Sequence, residues 1–280
     1  MTTQVKTTNW NEAIEGFMRN YAVANKTVGS YTVEHYIIPS NDLTDRVFFK
    51  RFVIDPILRL EFKSQEERYD KEILDYGCGN GRFAAMLAHW LGPHKLYAVD
   101  ISDQAVHQAE RNLRPYVGPQ SCFKESASAT VRKIEDYDLS FIEDDSLDLA
   151  MLNFVMQTIK SDEEVKRIVT SICPKLRRTG RLVVMDTHPD TVDAQFFSFR
   201  REKSATLEEN CQITTWLTGM TAPIYDYWRS KGHYLSLLKE SGFEHIKVHE
   251  PVIIGHEDEE AWRDERKVPP YLILEGRKAQ

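Results

Sequence analysis

The chain has 280 residues, 41% of them apolar, and a formal net charge of −7. That length and apolar content fit one large domain, or one domain with a cap, and the acidic balance makes a nucleic-acid partner unlikely. Four cysteines at 78, 122, 173 and 211 lack metal-ligand spacing, which suits a reduced, cytoplasmic protein. No apolar run reaches about 18 residues, so no membrane span is expected, and Met1 to Lys6 has no apolar signal stretch.

Residues 1–65 read as a separate helical segment. Asn9 and Asn11 suit a helix cap, and Ile14, Phe17, Met18 and Tyr21 share one face of the helix that follows. Val28 to Ile38 is rich in β-branched and aromatic residues, and Pro39 to Asp42 breaks it. A second helix is expected from Leu43 to about Phe62, with Pro56 kinking or splitting it. The polar stretch Glu66 to Asp70 marks a boundary.

The next stretch organises the chain. Ile73 and Leu74 read as a short buried strand, Asp75-Tyr76-Gly77-Cys78-Gly79-Asn80-Gly81 as a glycine turn, and Phe83 to Leu91 as an apolar-patterned helix. Glycines at alternate positions let backbone approach a ligand and aim N–H groups and a helix end at it. The spacing G-x-G-x-G departs from the G-x-G-x-x-G of dinucleotide sites, and a carboxylate beside the turn suits a cationic or neutral ligand better than a pyrophosphate. Leu96 to Asp100 reads as the next strand, ending in an acid able to accept from both ribose hydroxyls. Ser102 caps a helix to about Arg114, with Asp103 in its first turn.

These residues resemble the first motif and ribose-binding acid of class I S-adenosylmethionine-dependent methyltransferases. Further markers follow in order: Ser146 to Met151, Leu176 to Asp186, Tyr234 to Phe243 and Pro270 to Lys278. The resemblance covers residues 66–280. It implies a doubly wound, seven-stranded, mostly parallel α/β sheet whose last strand is antiparallel. It also implies S-adenosylmethionine as cofactor and S-adenosylhomocysteine as product. Segment 1–65 then becomes a cap or lid, with Tyr21 and Tyr31 as candidate contacts.

Residues 120–145 leave two third strands open, Ser121 to Glu125 or Val131 to Ile134. The resemblance implies an adenine-binding acid after this strand. Asp136, beside Glu135, is the better-placed candidate, and the other register puts Ser126 and Ala127 there. Leu147 to Val155 is a near-continuous apolar run, as a strand buried on both faces requires. It delivers Asn153, Phe154 and Gln157 to the ligand edge. Ser161 caps a helix running to about Leu176, with Gly180 as its terminator.

The fifth strand, Arg181 to Asp186, leads to His188, the histidine best placed as a general base. Methyl transfer from a sulfonium is an in-line displacement that alignment largely accelerates, so the alternative of a packing histidine stays open. Residues 190–227 exceed a simple helix connection and carry Phe196, Phe197, Phe199, Trp216, Met220, Tyr225 and Tyr227. With flanking positions they form an insertion over about 188–230, an expected aromatic wall for a small acceptor. Arg200 and Arg201 could anchor an acid or lie solvated. Tyr227 to Tyr234 is read as the start of a helix ending at Gly242, and Phe243 to Glu250 as the sixth strand.

The implied activity is methylation of oxygen, nitrogen or carbon on a small-molecule acceptor. The implied roles follow: Gly77, Cys78, Gly79 and Gly81 line the cofactor's amino-acid and ribose parts, Asp75 meets its ammonium group, and Asp100 holds the ribose. Ile101 packs on the adenine, Asp136 bonds the adenine amine, and Asn153 lies beside the donor. No metal is called for, and a homodimer is compatible. Three other classes stay open: a protein or RNA methyltransferase, which shares the core, an NAD-dependent oxidoreductase, which would want Asp100 but a different glycine spacing, and a non-catalytic binder of the same nucleoside.

Overall fold

A computed structural model describes residues 49, 53–54, 70–116, 128–196, 199–202, 206–217, 222–252 and 263–279. The first motif forms as its pattern dictates. β1 (Glu72–Tyr76) is buried throughout and leads through the glycine turn into α1 (Arg82–Leu91). Gly92 ends α1 in the left-handed region, its N–H donating to the Ala88 carbonyl. β2 (Lys95–Asp100) and α2 (Asp103–Leu113) follow, with the Ser102 hydroxyl accepting from the Ala105 N–H. β3 (Ser128–Lys133), β4 (Leu147–Asn153), α3 (Asp162–Ile172) and β5 (Leu176–Thr187) complete the parallel part.

The insertion is a three-stranded antiparallel sheet of β6 (Phe199–Glu202), β7 (Cys211–Leu217) and β8 (Ile224–Trp228). After it come α4 (Lys231–Glu240), β9 (Phe243–His249) and β10 (Tyr271–Lys278).

The main sheet has seven strands in the order β3-β2-β1-β4-β5-β10-β9. β1 pairs in parallel with both β2 and β4, and β10 runs antiparallel to β5 and β9. One face packs Ile73, Met151, Val183 and Ile273 beneath α1 and α2. The other packs Leu74, Ala150, Val184 and Leu274 beneath α3 and α4. Strand order reverses between β1 and β4, and the crevice at the carboxyl ends of such strands is where open α/β sheets bind ligands.

Several boundaries differ from the sequence reading. The helix capped by Ser161 stops at Ile172, because Pro174 leaves only a 3₁₀ turn at Cys173–Lys175. Gly180 therefore terminates no helix. It lies inside β5, where a Cβ would sit 2.6 Å from the Leu147 carbonyl oxygen. β4 ends at Asn153 rather than Val155, since Phe154 turns into the left-handed region at φ 58°. Tyr227 and Trp228 belong to β8, and α4 starts only after Ser230, whose hydroxyl accepts from the His233 N–H. The third strand is the later of the two candidates, extended back to Ser128. Segment 121–125 lies outside the described residues, as do Tyr21, Tyr31, Phe197 and Met220. Of segment 1–65, only Phe49, Val53 and Ile54 are described, all buried in the core on the α1 side.

Candidate functional site

The three glycines of the turn all adopt positive φ, and their surroundings divide them two and one. At Gly77 (φ 71°) a Cβ would lie 2.6 Å from a Val155 methyl, and at Gly81 (φ 79°) it would lie 2.9 Å from Ala109 of α2. These two let the turn pack against β4's exit and against the neighbouring helix. At Gly79 (φ 55°) a Cβ would meet nothing within 4 Å. Its backbone therefore borders open space at the sheet's carboxyl edge. The turn is anchored below by Gly77 and Cys78, whose N–H groups both donate to the Val99 carbonyl. The Cys78 thiol is buried, and burial pushes its pKa well up, so it is an inert packing group.

Asp100 closes β2 directly beside this turn. One carboxylate oxygen accepts from the Gly79 N–H at 2.8 Å, and the other accepts from the Ser102 N–H at 2.9 Å. Burial raises its pKa, against the pull of the Ser102 and Gly79 amides. Next to it, Ile101 is 70% exposed, an apolar side chain held out over the edge. The turn after β3 approaches from the other side, with the Ile134 N–H donating to the Asp100 carbonyl. That turn carries Asp136, exposed and with φ 48°.

Beneath the glycine turn, Asp75 is 1% exposed. Its Oδ1 accepts from Asn153 Nδ2 at 3.2 Å across the β1–β4 pair. Burial pushes the Asp75 carboxyl up to about 7, with Asn153 and the Ala84 amide pulling the other way. Asp75 Oδ2 and Asn153 Oδ1 are buried acceptors without a donor among the described residues.

A row of aromatic rings runs along the same edge. Phe83, at the start of α1, lies 4.8 Å from Phe49 and 5.8 Å from Phe154. Phe154 lies 5.4 Å from Tyr271, which lies 5.9 Å from Phe199 of the inserted sheet, and Phe196 lies 4.8 Å beyond. The row links the glycine turn to the insertion. Phe154 holds its place in a backbone region that costs a bulky residue roughly 1–2 kcal/mol, with its N–H donating to the Met185 carbonyl.

His188 follows β5 and is 3% exposed. Its Nδ1 accepts from the Asp190 N–H at 3.1 Å, which puts the neutral ring's proton on Nε2, 2.8 Å from Glu250 Oε1. Lys231 Nζ lies 2.8 Å from the same oxygen, and Lys231 and His188 together hold Glu250 below its ordinary range. The two arginines of the insertion divide. Arg200 is exposed, over the Trp216 ring, while Arg201 is buried and reaches the His188 carbonyl and the Thr191 hydroxyl at 3.4 Å.

The sequence reading put Arg229 in the start of a helix and gave it no role; it lies between β8 and α4. Its side chain is wholly buried. It donates to the carbonyls of Met156 (2.8 Å), Ile159 (2.6 Å) and Lys160 (3.2 Å) and to Asp162 (3.1 Å). Asp162 also meets His233 and Asn210. Asp186, at the end of β5, accepts from the Gln157 N–H and the Tyr234 hydroxyl. Burial raises Asp186 to about 7 against those bonds. The peptide after β4 is thus fastened from β5, α4 and the insertion at once. An arginine before a capping serine is the only sequence trace of this, and it carries no signal of burial.

Residues 67–242 match the family described as "Methyltransferase domain". N-demethylindolmycin N-methyltransferase of Streptomyces griseus is 33% identical over 186 residues, 63% of this chain and 70% of that one. Protein arginine N-methyltransferase 2 of Mus musculus is 35% identical over 74 residues, only 15% of its length. The crystal structure of a putative S-adenosylmethionine-dependent methyltransferase from Listeria monocytogenes aligns over 79% of this chain and 97% of that one. Its TM-score is 0.52 at 21% identity, a likeness of fold. The family match spans more than half of the chain, and the chain belongs to the class I S-adenosylmethionine-dependent methyltransferases.

Proposed function

We propose that the chain moves a methyl group from S-adenosylmethionine to a small-molecule acceptor held between the glycine turn and the inserted sheet. The observation that carries this is the ring row Phe83–Phe154–Tyr271–Phe199, which runs from the cofactor turn to the insertion. Phe83, Tyr271 and Phe199 are packed in the core and Phe154 alone of the row is part-exposed, so the row backs, rather than fills, a mostly apolar pocket with few polar anchors. The relative matched along 70% of its length is named for a small acceptor and for transfer to nitrogen, which favours an amine acceptor.

The residues present fit the cofactor. The open space at Gly79 admits a close ligand. Asp100 has lone pairs left for two ribose hydroxyls. Ile101 offers an exposed apolar face to an adenine, and Asp136 an exposed carboxylate to its amine. The orphan acceptors on Asp75 and Asn153 suit the N–H groups of an ammonium ion. When bound, S-adenosylmethionine supplies an electrophilic methyl group on a sulfonium.

In this reading the protein's own work is alignment and exclusion of water. Phe154 and Asn153 set the face between donor and acceptor, and the inserted sheet closes over it. Both ring nitrogens of His188 are engaged, so we assign it to holding the insertion's base rather than to proton transfer.

Methyl-labelled S-adenosylmethionine incubated with a panel of aromatic amines, a ribosomal protein and transfer RNA tests the assignment. Label on a small amine supports it, and label only on protein or RNA would overturn it.

A further inference from the structure

This inference rests on the reading that the glycine turn takes S-adenosylmethionine. We infer that Asp75 holds a proton in the free protein under mildly acidic conditions and loses it when the ligand's ammonium group arrives, so that the amino-acid arm binds by exchange of one cation for another at the Asp75–Asn153 pair.

The geometry sets up the exchange. Asp75 lies one residue from the end of β1, inside the protein; Asn153 Nδ2 on β4 donates to its Oδ1, and the Ala84 amide of α1 also pulls on the carboxylate. The remaining oxygens of the pair, Asp75 Oδ2 and Asn153 Oδ1, are both acceptors and both buried, with no donor among the described residues. A buried anion with an orphan oxygen beside an orphan carbonyl is costly. A proton on Oδ2 removes the charge and turns one orphan acceptor into a donor.

The charged and titratable neighbours do not offset this. Asp100 on β2 opposes a second negative charge. The Cys78 thiol in the turn is neutral, its pKa raised by burial first and by both aspartates. Arg82 on α1 pulls the other way, more weakly than Asp100 pushes. Burial dominates the sum and lifts the carboxyl to about 7.

An ammonium ion changes the balance, because it brings N–H donors for both orphan oxygens and a positive charge. The carboxyl O–H bond then breaks, its proton goes to the buffer, and the ammonium keeps its own protons. The net result is one proton released for each cation bound.

Calorimetric titration of the full chain with S-adenosylhomocysteine tests this. It is run at pH 6.5, below the titration range of a free α-amino group, which is about 7.7–8.0, in two buffers of unlike ionisation enthalpy. We expect about half to one proton released per site, and an association constant rising nearly tenfold per pH unit up to about 7 before levelling.

5′-Methylthioadenosine, which lacks the amino-acid arm, should bind with no release. Asp75→Asn should bind S-adenosylhomocysteine without buffer dependence. Tight binding with no proton release, or equal release with methylthioadenosine, would overturn the inference while leaving the cofactor assignment intact. Failure of the wild-type chain to bind either nucleoside would overturn both.

Discussion

The Gly79 N–H donates to Asp100 Oδ2 at 2.8 Å, joining the glycine turn to the acid that ends the next strand. A carboxylate that accepts from that turn is fixed in direction before any ligand arrives. The ribose hydroxyls would then meet an acceptor already in place, and the site loses little entropy in ordering it.

The three glycines should respond differently to alanine. Gly77→Ala and Gly81→Ala place a methyl 2.6 Å from Val155 and 2.9 Å from Ala109. Overpacking and left-handed strain should together cost about 2–4 kcal/mol of stability. Gly79→Ala meets no atom within 4 Å and should cost only the strain, about 1 kcal/mol, yet weaken nucleoside binding most. Urea unfolding and calorimetric affinity, measured on all three, check the ordering.

Arg229→Met removes donors to three carbonyls and one carboxylate. Leaving that many buried acceptors unpaired should cost about 3–5 kcal/mol. Arg229→Lys should restore little of it, because an ammonium group cannot span the fork. Urea midpoints of the two variants decide this.

Burial pushes the carboxyls of both Asp75 and Asp186 up from the ordinary 3.8 to about 7. Between those values the folded state holds a proton that the unfolded state has lost, so each acid makes stability fall as pH rises from about 4 to about 7. The loss is on the order of 4 kcal/mol per site at full shift. Asp186→Asn should flatten that part of the stability–pH curve relative to wild type. Denaturant unfolding at pH 4.5, 6 and 7.5 measures it, and an unchanged slope would contradict the burial argument.

His188→Gln should lower stability by about 1–3 kcal/mol, because Glu250 and the Asp190 N–H lose a buried partner. Affinity for S-adenosylhomocysteine should stay near wild type. A general base would instead show its loss in the pH dependence of turnover.

Much of this was legible in the sequence. β1, the glycine turn, α1, Asp100 and the Ser102 cap follow from apolar runs, turn glycines and capping residues, all of which act locally. Gly180 misled because a glycine after an apolar helix resembles a stop, whereas here it yields to a carbonyl on another strand. Tyr227 and Trp228 misled because a strand running straight into a capped helix leaves no break in the apolar pattern. The Arg229, Asp162 and Asp186 network was illegible because its members are 24 to 67 residues apart and only tertiary pairing makes them partners. The sequence also treated three glycines as one device, while the fold uses one for ligand approach and two for packing.

Calorimetric titration with S-adenosylmethionine, S-adenosylhomocysteine and NAD, on wild type and on Asp100→Ala, tests the central claim most directly. The account predicts that both sulfur nucleosides bind, that NAD does not, and that the variant loses at least about tenfold in affinity, the worth of one charge-assisted hydrogen bond. Binding of NAD with neither sulfur nucleoside, or unchanged nucleoside affinity in Asp100→Ala, would contradict it.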